Sequence, residues 1–350
     1  MIIARDYSMM LSIRSPCAKI IPMNWNMLGH EWAVDLLKEH VARRDVRHAY
    51  LFTGPQGVGR RTLALRLAQA LNCLQPPAPG EACYACRICV HVDKMQQPDL
   101  SIVQSERIGG TLKVEQIREL QHDLALHPYE ARYRVAALLR FEEAHISAMN
   151  ALLKTLEEPA PQVVIVLTAE SAERLLPTIV SRCEILRLKP LPLEVVDQGL
   201  QNRWGLPAEK ARLLAHLSAG RPGYALHLHK DPQQLEQRNI WLEKQHDLLS
   251  QKRGERFEYA ETLAKDKDLL RDALLVWSSF WRDVLLKAAG SSTPITNLDR
   301  KEEIEKLASQ VGINSARQIV STLQRSVELL DHNVNPRLLT EVLMLDLPFI

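Results

Sequence analysis

Gly54-Pro55-Gln56-Gly57-Val58-Gly59-Arg60-Arg61-Thr62 follows the apolar run Ala49-Tyr50-Leu51-Phe52-Thr53 and opens a helical pattern over Arg60–Leu71. A strand, a glycine-rich turn and a helix, in that order, are the context of a phosphate-binding loop. Glycines let the backbone curl so that successive N–H groups point inward, and the helix N-terminus adds positive potential. The full pattern asks for Lys and then Ser or Thr after the last glycine. This chain has Arg60 and Arg61 there, with Thr62 one position late. Arg60 keeps the charge, but its planar fork is a poor substitute for an ammonium set between two phosphates. Arg61 removes the hydroxyl that would hold Mg²⁺. Three readings stay open for Gly54, Gly57, Gly59, Arg60 and Thr62: an inherited scaffold, a site that holds ATP or ADP without turnover, and an active ATPase.

Outward from the loop, short apolar runs alternate with helical patterns as far as about Leu188. The strand candidates are Ala49–Thr53, Leu100–Val103, Val135–Leu139, Val163–Leu167 and Ile185–Leu188. Continuous apolar runs suit a parallel sheet covered on both faces. Helices are expected between them at Arg60–Leu71, Val114–Leu126, Ile146–Glu157 and Ala172–Ser181. This alternation predicts a doubly wound α/β domain. An ATPase would follow its third strand with Asp-Glu, where this chain has Leu139 and Arg140. Glu142 and Glu143 come next and read as acids at a solvated helix entry, near the positive end of its dipole.

Pro190 and Pro192 mark a boundary, and beyond it only helices are expected. They lie at Leu193–Arg203, Ala208–Ser218 and Pro222–His229, then at Leu269–Ala288, Glu302–Gln310, Ser315–Asp331 and Pro336–Leu347. Asn335 and Pro336 give the last of these a good N-cap and first position. The expected division is an extension over 1–22, an α/β domain over 23–188, a small helical unit over 189–232 and a larger one over 233–350.

The 350 residues carry 44 Lys+Arg and 42 Asp+Glu, a formal charge of +2. That balance excludes a wholly basic nucleic-acid coat or an acidic tail, though not a local basic patch. Arg5, Arg14 and Lys19 against Asp6 place the whole excess in residues 1–22. The other 328 residues hold 41 side chains of each sign. The extension lacks the apolar core and cleavage site of a secretory signal. It reads as a disordered tail or as a start placed upstream of a natural one at Met23. No apolar run approaches the ~18 residues of a membrane span.

Cys73, Cys83, Cys86 and Cys89 offer four soft ligands with two overlapping C-x-x-C hooks, which suits tetrahedral Zn²⁺ in a structural site. Disulfides and an iron–sulfur cluster are the alternatives. The lack of a secretory signal argues against disulfides. Cys17, Cys183 and His91 read as unconnected with the metal. Arg182, in Ser181-Arg182-Cys183, closes a helix, and such an arginine is ordinarily a dipole partner or a surface ion pair.

Several blocks together resemble the delta-prime family of clamp-loader subunits of bacterial DNA polymerase III, a branch of the AAA+ proteins. They are Leu28-Gly29-His30, His48–Gly54, the four cysteines, Asn150–Pro159, Glu173–Cys183, Ser218–Gly223 and Asn333–Leu343, and the likeness runs roughly over residues 25–345. The resemblance implies an AAA+ domain with a zinc module at about 73–91, a helical lid over 189–232 and an all-α collar over 233–350. It implies a cytoplasmic hetero-oligomer in which delta and gamma/tau subunits place a sliding clamp on primer-template DNA, with no membrane involved. It also implies that Arg182 is a finger acting in trans on a neighbour's ATP. This chain departs from active loader subunits at Gly223, where the lid would carry a sensor arginine, and at Thr168-Ala169, where a sensor threonine is uncertain. With the loop Lys, the Mg²⁺ hydroxyl and the acid pair also missing, the implied role is a non-hydrolysing stator. The alternative is an active ATPase of the gamma/tau type.

Overall fold

Every residue of Ala49–Thr53 is buried, as expected of a central parallel strand with helices on both sides. This is β1. The computed structural model describes residues 24–106, 109–331 and 334–349, so the extension 1–22 and Cys17 lie outside the described residues. With β2 (Leu100–Val103), β3 (Arg134–Leu138), β4 (Val163–Ala169) and β5 (Glu184–Arg187), β1 forms one parallel sheet in the order β2-β3-β4-β1-β5. Phe52 stands opposite Thr168 on one side and Leu186 on the other.

Successive strand side chains point to opposite faces, and the sheet sorts them into two cores. One face packs Tyr50, Phe52, Val135 and Val164 against α1 (Glu31–Arg43) and α2 (Arg60–Asn72). The other packs Leu51, Ala136, Leu138 and Ile165 against α4 (Val114–Leu124) and α5 (Ile146–Glu157). The short α3 (Arg87–Asp93) lies against α2. The single helix expected over Ala172–Ser181 is instead a 3₁₀ turn, Ala172–Arg174, and a four-residue helix α6, Pro177–Val180. Pro177 has no N–H to continue a helix and forces Leu176 into an extended backbone, so it starts a new one.

Helices α7 (Leu193–Trp204), α8 (Ala208–Leu217) and α9 (Pro222–Lys230) share a small core of Val196, Leu200, Leu214 and Ala225. The remaining core is all-helical: α10 (Pro232–Ser250), α11 (Arg253–Leu263), α12 (Lys267–Ala288), α13 (Lys301–Asp331) and α14 (Pro336–Asp346) surround Trp277, Phe280 and Trp281. Gly312 interrupts α13 at φ 71°, ψ 168°, in the gap expected between Glu302–Gln310 and Ser315–Asp331. No described helix is long and apolar enough to cross a membrane.

Candidate functional site: a closed phosphate loop, a cysteine cluster and a half-buried arginine

The loop after β1 leaves the C-terminal edge of the sheet, beside the point where the strand order reverses. In open α/β sheets this is where ligands bind. Gly54, Gly57 and Gly59 hold φ values of 143°, 82° and 120°, a region that glycine alone enters cheaply. Arg60 then opens α2, and its side chain turns inward, only 7% exposed. Its Nη1 lies 3.8 Å from Glu142 Oε1. Burial pulls the Arg60 guanidinium below its ordinary value and pushes the Glu142 carboxyl above its own, with the charge of each partner opposing the shift. For both groups, desolvation therefore outweighs an attraction across that distance. Thr62 is exposed on α2.

The acids after β3 do not form a solvated helix entry. Phe141–Glu143 is a 3₁₀ turn whose Phe141 is fully buried, and burying that ring draws the neighbouring carboxylates inward. Glu142 accepts from the backbone N–H of Glu170 at 3.1 Å. Glu143 accepts from Arg140 Nε at 3.0 and 3.1 Å, from the Gly109 N–H at 2.9 Å and from the Ser105 hydroxyl. Thr168 is also engaged, its Oγ1 accepting from the Arg140 N–H at 2.9 Å.

The first turn of α9 sits directly on the loop. The Gly223 N–H donates to the Gly57 carbonyl at 2.8 Å. A Cβ on Gly57 would stand 2.7 Å from the Tyr224 nitrogen, and one on Gly223 would stand 2.8 Å from the Gly57 oxygen. This backbone-to-backbone approach needs glycine at both places. Arg221 lies over the Tyr224 ring at 4.5 Å and donates from Nε to the Ser218 carbonyl at 2.7 Å. Below the loop, His30 hydrogen-bonds the Val58 carbonyl through Nε2 at 3.0 Å. Burial lowers the His30 pKa, which favours the neutral ring in that role.

The four cysteines converge. Cys73 ends α2, Cys86 caps α3, Cys89 lies within α3, and the Sγ atoms of all four are within 4.8 Å of one another. Cys83 and Cys89 sulfurs are 4.0 Å apart, far from the ~2.05 Å of a disulfide. Four sulfurs at ~2.3 Å from one Zn²⁺ would stand ~3.8 Å apart, so the cluster fits a tetrahedral thiolate site. Backbone N–H groups are already aimed at the sulfurs, Cys83 N to Cys73 Sγ and Cys86 N to Cys83 Sγ, each at 3.2 Å. Burial pushes the Cys83 thiol up, but the N–H groups of Ala85 and Cys86 and the thiols around it bring it down to about 6. Around the sulfurs, Gln69 Nε2 donates to the Cys89 carbonyl at 2.7 Å and Arg66 pairs with Asp93 at 2.8 Å. Trp25 Nε1 donates to the Gly80 carbonyl at 3.0 Å. These last contacts join residues distant in sequence, and no spacing rule announces them. His91 and Cys183 stand outside the cluster.

Arg182 follows α6 on the surface and is not brought near the loop or the cysteines. Its Nη1 donates to the Thr178 carbonyl and its Nη2 to Glu157 Oε1, both at 2.8 Å.

A family model described as DNA polymerase III, delta subunit, matches residues 29–192, and its C-terminal counterpart matches residues 232–348. The DNA polymerase III subunit delta′ of Bacillus subtilis is 30% identical over 314 residues, covering 89% of this chain and 93% of that protein. Subunit delta′ of Pseudomonas aeruginosa is 35% identical over 205 residues, 57% of this chain and 61% of its own length. A DNA polymerase III subunit gamma of Buchnera aphidicola is 30% identical over 195 residues, 51% of this chain and 52% of that protein.

Proposed function

The chain belongs to the DNA polymerase III delta′ family, and from that membership we propose that it is a non-hydrolysing stator subunit of a cytoplasmic clamp loader. In this reading it assembles with delta and gamma/tau subunits to place a sliding clamp on primer-template DNA. Residues 23–188 form its AAA+ unit, 189–232 its lid and 233–350 its collar.

The observation that carries the reading is the closed loop. Arg60 is turned in toward Glu142, and the Gly223 N–H is hydrogen-bonded to Gly57. In this reading the lid brings Gly223 to the loop at the position where the resemblance would ask for a sensor arginine. What this chain contributes to ATP chemistry is then Arg182, set on an exposed rim, as a positive charge for a phosphate held by a neighbour. Cys73, Cys83, Cys86 and Cys89 would hold a structural Zn²⁺, which supplies no chemistry of its own here. It would pin the end of α2, the following loop and α3 to one point.

The deciding experiment is ATP hydrolysis by the purified chain alone. No turnover is expected, with or without Arg60→Ala. Turnover that Arg60→Ala abolishes would replace the stator reading with an active ATPase of the gamma/tau type.

A further inference from the structure

The Arg182 guanidinium is engaged within its own chain, and one of its partners carries charge. Glu157 is the last residue of α5, so the 2.8 Å ion pair ties the end of that helix to the residue beyond α6, 25 positions away. Carboxylate and phosphate present similar acceptor edges to a guanidinium fork. They compete for it, because a carboxylate left beside a bound triphosphate repels it.

Resting on the trans-arginine reading above, we infer that Glu157 is the resting partner of Arg182, a positioning residue that a neighbour's phosphate oxyanion displaces. Until then Glu157, the Thr178 carbonyl and the Ser181 hydroxyl hold the guanidinium against the end of α6. Capture by phosphate costs the Glu157 contact, so Glu157 sets the nucleotide concentration at which Arg182 changes partner. The exposure of the pair fits an exchangeable contact: the side chains are 35% and 51% exposed. A buried pair would leave an uncompensated charge on opening, whereas a solvated one shifts an equilibrium by up to about fivefold.

Glu157→Gln keeps the shape and an acceptor and removes the charge. In an assembly reconstituted with a gamma-type ATPase subunit, the KM for ATP is expected to fall by up to about fivefold while kcat stays constant. The difference from wild type should shrink as salt rises. A lowered kcat, or a KM that rises or does not move, overturns the inference. Arg182→Ala measured in parallel separates the two claims. If it leaves kcat intact, the trans-arginine reading fails. If it lowers kcat while Glu157→Gln leaves KM in place, only the role of Glu157 fails.

Discussion

Arg182 acts, in this reading, on a phosphate outside its own chain, so removing it should spare the fold and cost only chemistry. Its side chain is on the surface and its hydrogen bonds go to Thr178, Ser181 and Glu157. Arg182→Ala is expected to leave the melting temperature within a degree or two. ATP turnover in the reconstituted assembly should fall by roughly 10³-fold or more at the site it serves. Unchanged turnover would remove the finger role. Asp99 is the opposite case, a charge with only structural work. It is fully buried; burial raises its pKa, but the N–H groups of Glu130, Tyr129 and Ala131 and the Arg134 guanidinium more than offset that and hold it below the ordinary carboxylate value. A carboxyl with a depressed folded pKa stabilises the protein above its unfolded value and loses that contribution as pH falls through the folded one. Asp99→Asn should therefore cost about 2–4 kcal/mol at neutral pH, and the gap to wild type should close as the pH drops below about 4. Equal denaturant midpoints at pH 7 would contradict this.

At the scale of elements, the cysteine cluster is a fastener between α2, its following loop and α3. Metal that binds only the folded chain stabilises it by about 4 kcal/mol at a thousandfold excess over Kd. Chelation is therefore expected to lower the melting temperature without altering the fold of the helical units. A metal-free protein with unchanged melting would argue against the site. In the last core, Arg256 gathers the end of α14: its Nη1 donates to the carbonyls of Met344 and Leu347, and its Nη2 to those of Leu249 and Pro348. The Met344 carbonyl in the last turn of α14 and the Leu249 carbonyl in the last turn of α10 are ones a helix end leaves without partners, while Leu347 and Pro348 follow α14. Arg256→Met should cost about 3 kcal/mol, read as a lower urea midpoint, and a change under 1 kcal/mol would refute it. The same elements show what was legible beforehand. The strand at Ala49–Thr53 matches its apolar run because both faces of the sheet are covered there, and Leu100–Val103 matches its run too, although at the sheet edge only Leu100 is buried. Helices α10 and α11 escaped because they bury polar side chains, Arg238 and Gln245 in one and Arg256 in the other, which blurs the apolar period. The cysteines were legible from spacing alone, being local. The inward turn of Glu142 and the contact of Gly223 with Gly57 were not, since each depends on segments far apart in the chain.

Over the whole molecule, the closed loop and the charge balance point in the same direction. The loop and α9 meet through main-chain atoms at Gly57 and Gly223, with Arg221 Nη1 reaching the Gln56 carbonyl at 3.5 Å beside them, so the closest part of the joint has no side chain to swing aside. In the stator reading proposed above, such stiffness would let the chain resist while its neighbours change shape. Gly223→Ala would push a Cβ to 2.8 Å from a main-chain oxygen, and hydrogen exchange at residues 54–60 should accelerate as the joint opens. Charge sets how such a body meets DNA. Beyond residue 22 the chain holds equal numbers of basic and acidic side chains, so that part of it has no net positive charge to draw a polyanion. Tight, sequence-independent binding to a duplex grows with the number of phosphates neutralised and falls steeply with salt. The isolated chain is therefore expected to bind primer-template DNA no better than the non-specific range of about 10⁻⁴–10⁻⁶ M. The reconstituted assembly should bind more tightly and with a steeper salt slope. Fluorescence anisotropy of a labelled primer-template across 50–200 mM salt measures both, and nanomolar binding by the chain alone would mean that it carries a DNA-binding face of its own.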